Sequence, residues 1–104
     1  MTVRLPASLV AAGADGNPLL ALEHEMLAEK AASLGRAGEQ AAHALARLKA
    51  HSGDEAARAR LLRAAAVAVH QWFIQRELCG LRRHDEVIRE LAIPRAVLAR
   101  LGAS

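Results

Sequence analysis

The residues best suited to chemistry lie together between Trp72 and His84, in the stretch WFIQRELCGLRRH. The stretch holds the only tryptophan and phenylalanine of the chain, its only cysteine and the polar triplet Gln75-Arg76-Glu77. A cysteine close to a histidine or an arginine can become a nucleophile. Cys79, however, stands one residue before a glycine placed like a helix stop, where a cysteine is usually a small buried apolar residue. We therefore predict no catalytic residue and no enzyme activity.

The polar triplet has a structural and a functional explanation. A charge on a largely buried helix needs a partner, because a buried charge without one is strongly destabilising. The structural explanation pairs Arg76 with a carboxylate of the preceding helix, and Glu23 is the predicted partner. The functional explanation is a pocket for an anion or a protein partner, lined by Gln75, Arg76, His24 and Arg82.

Metal binding also has to be considered, because four-helix carboxylate proteins can be assembled from two helical hairpins. Such sites use a Glu-x-x-His pair, which places both ligands on one helix face, and the chain has no such pair. Glu39 and His43 are four residues apart, but they fall on the outer face of the predicted helix. The five histidines share no ligand spacing. We predict no metal site and no cofactor.

The tail EVIRELAIPRAVLARL suggests an alternative function in nucleic-acid binding. It resembles a helix-turn-helix unit, with a short apolar helix, a tight turn at Ala92-Ile93-Pro94 and a second helix that presents Arg95 and Arg100. An alanine replaces the usual turn glycine, however, and polar side chains suited to reading base edges are almost absent. A DNA-binding regulator that uses residues 85–101 is therefore kept as the alternative.

Two long helices and a short tail are predicted to position these residues. Asn17 is a candidate N-cap with Pro18 at the first helical position, and apolar residues recur at steps of three and four from there to about residue 50. Ser52 and Glu55 form a candidate capping box for a second helix, which ends before Gly80. The predicted helices cover residues 18–50, 53–79, 85–92 and 94–101, in one helical domain (17–104) that follows a loose N-terminal arm (1–16).

A short turn between the long helices makes them antiparallel neighbours. In the register that follows, Trp72 faces a groove of small residues on the first helix. We predict that Trp72 is buried against that groove, which consists of Ala28, Ala31 and Gly35. The first helix is expected to be continuous through its glycines, because the track of small residues keeps its phase there.

The second helix is apolar almost all round between Leu61 and Ile74, so one neighbouring helix and a short tail leave part of it uncovered. A large uncovered apolar patch favours association, and the simplest closure is a two-fold dimer that completes a four-helix bundle. One candidate interface has Leu62, Val69 and Phe73; the other has Val67, Ile74 and Leu78, with Gly38 and Ala42 permitting close approach. The predicted function is that of a self-associating interaction or structural module, which binds a protein partner that the sequence does not identify.

Composition supports an all-α fold. Alanine accounts for 25 residues, whereas aromatic residues make up 2% of the chain, which favours helices over sheet. The single cysteine and the lack of an apolar run near the ~20 residues of a membrane span predict a reducing, cytoplasmic setting and no membrane insertion. Residues 1–51 are neutral overall, and the net charge of +3 lies in residues 52–104 as arginine. This excess is compatible with an anionic partner.

Two segments carry a resemblance to a known family: LEHEMLAEKAASLGRAG (22–38) and QRELCGLRRHDEVIRELAIPRAVLARLG (75–102). Together they resemble a family of small bacterial proteins of about this length that is classed only as a domain of unknown function. The similarity covers most of the chain beyond the first fifteen residues. The resemblance implies a bacterial, cytosolic protein and assigns no activity, cofactor or site.

Overall fold

The protein is an all-α hairpin in the computed structural model, which describes residues 16–103. Four helices are present there: α1 (Pro18–Ala50), α2 (Glu55–Leu78), α3 (Asp85–Glu90) and α4 (Arg95–Leu98). The described residues include no strand. The predicted fold class, two long helices with a short helical tail, is therefore confirmed. The predicted N-terminal arm lies outside the described residues except for Gly16.

The chain divides into two compact units, residues 1–32 and 33–104, and the division falls inside α1. In the first unit, Asn17 caps α1 as predicted: its Oδ1 accepts hydrogen bonds from the amides of Leu19 and Leu20 at 3.1 and 3.2 Å. These bonds satisfy two of the donors that a helix N-terminus leaves open. Ala21 is buried, and the large exposed apolar residues of this unit are Leu19, Leu22, Met26 and Leu27.

The second unit contains the core of the hairpin, and small side chains make up much of it. Ala41 and Ala65 are fully buried, and among residues 16–103 the largest side chains that are fully buried are those of Val69 and Val97. Alanine lets helices approach closely because only a methyl group stands between the backbones. The remaining core residues come from α1, α2 and the tail: Ala37, Leu45, Leu48, Leu62, Ala66, Trp72, Phe73 and Ile93.

The N-cap of α2 is Asp54 rather than the predicted Ser52. Asp54 has an extended backbone (φ −77°, ψ 162°), and its side chain accepts a hydrogen bond from the amide of Ala57 at 2.7 Å. A carboxylate at this position forms a charge-assisted bond and also interacts favourably with the helix dipole. The predicted capping box is thus wrong, because the chain needs residues 51–54 to reverse direction before α2 can start.

α2 ends in a Schellman motif, as Gly80 predicted. Gly80 has φ +88°, its amide donates to the carbonyl of Glu77, and the amide of Leu81 donates to the carbonyl of Arg76. These two bonds satisfy carbonyls that would otherwise be left open at the helix end. The left-handed conformation at Gly80 is the reason that this position favours glycine.

α3 ends in the same motif, but without a glycine. Ala92 has φ +47°, its amide donates to the carbonyl of Arg89, and the amide of Ile93 donates to the carbonyl of Ile88. Helix α3 is therefore two residues shorter than predicted, since the reversal occurs at Ala92. The side chain of Lys49, at the end of α1, donates to the carbonyl of Leu91 and ties this turn to the hairpin.

The tail docks on the hairpin through its apolar residues. Ile93 and Val97 are buried, and Leu98 and Leu101 are partly buried against the core. Helix α4 is a single turn, shorter than the predicted 94–101, because Pro94 has an extended backbone and the chain turns again after Leu98. The tail thus supplies part of the cover that α2 requires.

Trp72 is buried as predicted, with 9% of its surface exposed. The predicted position of its contact along α1 is wrong. A Cβ built on Gly38 would lie 3.1 Å from Trp72 Nε1, whereas a Cβ built on Gly35 would meet nothing within 4 Å. The predicted partners Ala28 and Ala31 belong to the N-terminal unit. The contact is displaced toward the C-terminus of α1 because the connection is longer than a tight turn and because helical side chains lean toward the N-terminus of their own helix.

Candidate interaction site

A polar cluster at the C-terminal end of α2 is built around the guanidinium group of Arg76. Its Nε donates to Nδ1 of His84 at 3.1 Å, and a terminal nitrogen donates to the carbonyl of Arg83 at 2.9 Å. The guanidinium carbon also lies 5.6 Å from the centre of the Trp72 ring, within the range of a cation–π contact. The role of Arg76 in this arrangement is to hold the segment after α2 against the helix.

His84 connects that segment to α2 through three contacts. Its Nδ1 accepts from Arg76, its Nε2 lies 3.0 Å from Oε2 of Glu77, and its ring stacks on Phe73 with centroids 4.1 Å apart and planes 7° from parallel. Its backbone carbonyl accepts the hydrogen bond of the Ile88 amide, at the start of α3. His84 therefore fixes the connection between α2 and α3.

The predicted partner of Arg76 was wrong. Arg76 is half-buried and paired, as the structural explanation required, but its described partners are His84, the Arg83 carbonyl and Trp72, all in the C-terminal unit. The sequence could not show this, because His84 approaches Arg76 only after the chain reverses at Gly80. Glu23 belongs to the N-terminal unit and is exposed.

The residues of the predicted anion or partner pocket fall in both compact units, and the three in the C-terminal unit line different features. Arg76 is engaged in the polar cluster, and Arg82 is exposed beside Glu77 in a separate depression. Gln75 lines a groove elsewhere, and His24 is exposed in the N-terminal unit.

An apolar stripe on α2 is the most distinctive surface of the C-terminal unit. It consists of Val67, Ile74 and Leu78, which are 55%, 42% and 62% exposed. Their spacings of seven and four residues place them on one helix face. Gln71 lies on the same face between Val67 and Ile74, and it is also exposed. We call these four residues the α2 stripe.

A depression lies on either side of the α2 stripe, and Gln71 lines both. The first lies between α1 and α2, with Arg36 and Gln40 among its lining residues; the second lies between α2 and the tail, with His70 and Arg100. The stripe is therefore a ridge between two grooves. Such ridges and grooves are the features by which helices pack against each other.

The structure corrects one of the two predicted dimer faces. Leu62, Val69 and Phe73 are 8%, 0% and 7% exposed because α1 and the tail cover them within the chain. They belong to the core and offer no surface to a second molecule. The residues of the second predicted face, Val67, Ile74 and Leu78, are exposed on the α2 stripe.

Arg95 and Arg100, the candidate DNA-binding residues of the tail, are exposed, but α4 is a poor match to a recognition helix. Arg95 is the first residue of α4 and Arg100 lies just after its end, and the single turn of α4 has Val97 fully buried against the core. A recognition helix of a helix-turn-helix protein presents several side chains to the major groove from a helix that enters it. One turn docked by its apolar face does not offer that geometry.

Two further kinds of feature are absent from residues 16–103. No three histidine, cysteine, aspartate or glutamate residues lie close enough there to hold a metal ion. None of the helices in that range combines the length and the apolar character needed to cross a bilayer.

Sequence reasoning missed Gln71. The apolar pattern of α2 identifies Val67, Ile74 and Leu78 but not Gln71, because Gln71 is polar. Its position seven residues from both Ala64 and Leu78 was visible in the sequence and could have placed it on the same face.

The fold and these surfaces define a small helical-hairpin protein with a docked helical tail. The chain belongs to a family of unknown function, DUF6665, whose model matches residues 1–104, which confirms the resemblance to an unknown-function family. No curated protein matches the chain, and no solved structure matches it. The bacterial origin and the cytoplasmic setting stay predictions.

Proposed function

We propose that this protein is an interaction module without a reaction of its own, which self-associates as a homodimer through the α2 stripe. The observation that carries the proposal is the exposure of Val67, Ile74 and Leu78, which line up on the side of α2 that faces away from the buried core residues. Exposed apolar residues that line up on one face favour association, because covering them removes apolar surface from water. A protein partner other than a second copy remains part of the proposal.

A second copy suits the α2 stripe because the stripe carries no charge. Its four residues are three apolar side chains and one neutral amide, so the stripe can meet itself without repulsion between like charges. The grooves on both sides also offer space for the neighbouring side chains of another helix.

The expected dimer is weak and exchanges with the monomer at micromolar concentration. The stripe runs about 16 Å along α2, at a rise of ~1.5 Å per residue. A contact along a single helix of this length buries less surface than the ~800 Å² per partner of a standard protein interface. A measurement of mass over a range of concentrations is therefore needed.

The test compares two leucines of equal exposure in sedimentation equilibrium. Leu78→Glu places a charge on the α2 stripe, and Leu27→Glu makes the same change on α1, where Leu27 is 61% exposed. We expect a reversible dimer for the native chain, the same dimer for Leu27→Glu and an 11 kDa monomer for Leu78→Glu. Circular dichroism confirms that both variants are folded.

Two outcomes contradict the proposal. The first is a native chain that stays monomeric up to high micromolar concentration, because the protein then does not self-associate. A dimer that Leu27→Glu disrupts and Leu78→Glu preserves uses the exposed residues of the N-terminal unit rather than the α2 stripe.

A further inference from the structure

The exposed face of α2 has a size pattern that fits a second copy running in the opposite direction. Gln71 lies seven residues from Ala64 and seven from Leu78, and all three are exposed on one face. Ala64 is small and lies beside a depression between α1 and α2, next to Leu61 and Arg60. Leu78 is large and 62% exposed. The space above Ala64 in one copy can therefore accept the Leu78 side chain of a second copy.

We propose, on the basis of the self-association proposed above, that the dimer is antiparallel with its two-fold axis at Gln71. The axis then runs perpendicular to α2, and Leu78 of each copy lies on Ala64 of the other. A large side chain meets a small one at both ends of the contact. In a parallel dimer, by contrast, Leu78 would meet Leu78 and Ala64 would face Ala64, which crowds one end and leaves a gap at the other.

Gln71 determines the register of this dimer. Association removes water from its amide, and a buried amide must find new hydrogen-bond partners. The other stripe residues are apolar, so the polar group that the second copy offers on this face is its own Gln71. An amide has donors and an acceptor, so two of them related by a two-fold axis can each donate to the other. Single polar residues set register in coiled coils in the same way.

The charges beside the stripe favour the same direction. Arg63 precedes Ala64 and Glu77 precedes Leu78, so both flank the contact on one side. In the antiparallel dimer this side of one copy meets the same side of the other, which places Arg63 next to Glu77 twice. A parallel dimer, whose two-fold axis runs along the helices, would bring opposite sides of the two copies together and would leave Arg63 and Glu77 without this pairing. Glu77 is 55% exposed, and its bond to His84 uses Oε2, so Oε1 remains for this contact.

Disulfide cross-linking tests the direction of the two helices. Single cysteines replace Ala64, Gln71 or Leu78 in a Cys79→Ala background, which serves as the control without a cysteine. A disulfide requires Cα atoms about 4.4–6.8 Å apart, so it reports direct opposition. After oxidation at a concentration where the native chain is dimeric, we expect Gln71→Cys to cross-link with itself. Ala64→Cys and Leu78→Cys should cross-link only when they are mixed.

The outcomes separate this inference from the proposed function on which it rests. Self-linking of Ala64→Cys and of Leu78→Cys would show a parallel dimer and overturn the inference, with self-association intact. A dimer in sedimentation that none of the three cysteines cross-links would place the interface elsewhere. A monomer in sedimentation would overturn self-association itself.

Charge reversal gives a second measurement with a matched control on the same helix. Arg63→Glu turns two attractive contacts into two repulsive ones, and we expect it to weaken the dimer by about tenfold. Arg58→Glu makes the same change in net charge on the opposite face of α2, where Arg58 is exposed, and should leave the dissociation constant within about twofold. An equal effect of the two variants, or none from Arg63→Glu, would contradict the antiparallel contact.

Discussion

At the scale of single residues, the imidazole of His84 has a defined proton arrangement. Arg76 Nε can only donate, so the Nδ1 atom that faces it at 3.1 Å must accept and carries no proton. The proton of the neutral ring then lies on Nε2 and points toward Glu77. Both ring nitrogens of His84 are therefore engaged within the chain, by Arg76 and by Glu77, and they hold the segment after α2 in place.

This tautomer can be observed directly. We expect long-range ¹H–¹⁵N correlation spectra, recorded where the ring is neutral, to show His84 in the Nε2–H form. His43, which is exposed on α1, provides the reference in the same spectrum. A proton on Nδ1 of His84 would contradict the bond from Arg76.

The two residues with left-handed backbone at the helix ends, Gly80 and Ala92, give opposite predictions. Gly80→Ala introduces a Cβ at φ +88° and should lower the free energy of unfolding by about 1 kcal/mol. Ala92→Gly removes that strain at φ +47° and should raise it by up to about 1 kcal/mol. Urea denaturation measures both. Destabilisation by Ala92→Gly would mean that the loss of chain entropy at glycine outweighs the strain.

At the scale of helices, the contact between Trp72 and α1 has a register that the glycines can test. Gly38→Leu must displace the indole ring and should cost about 1–3 kcal/mol of stability. Gly35→Leu is the matched control: a side chain there meets open space, and the gain in helix propensity should stabilise the protein by up to about 1 kcal/mol. Equal effects on the denaturation midpoint would place Trp72 between the two glycines.

The helices themselves were predictable because they depend on local chemistry. Asn17 caps α1, Gly80 ends α2, and the spacing of apolar residues selects helix over strand; each of these features acts over a few residues. The partners of Trp72 and Arg76 were not predictable, because the register of the hairpin depends on the length of the connection and on the lean of long side chains. The interface of Leu62, Val69 and Phe73 was wrong for a related reason: a one-turn tail, through Val97, covers more of α2 than its length suggests.

At the scale of the whole molecule, dimerisation links stability to concentration. A partner that binds only the folded chain stabilises it by mass action, so we expect the thermal midpoint of the native protein to rise with protein concentration. Leu78→Glu should show the same midpoint at every concentration. A native midpoint that does not change over a hundredfold range would contradict a dimer that dissociates on unfolding.

The alanine-rich core has a further consequence for calorimetry. Four positions of the core cluster are alanine: Ala37, Ala41, Ala65 and Ala66. Unfolding this core therefore exposes less apolar surface per residue than a core with leucine at those positions. The heat capacity increment of unfolding follows that surface and should fall below the ~12–15 cal/mol/K per residue of typical globular proteins. Stability then changes little with temperature, and a modest free energy of unfolding is maintained over a broad range.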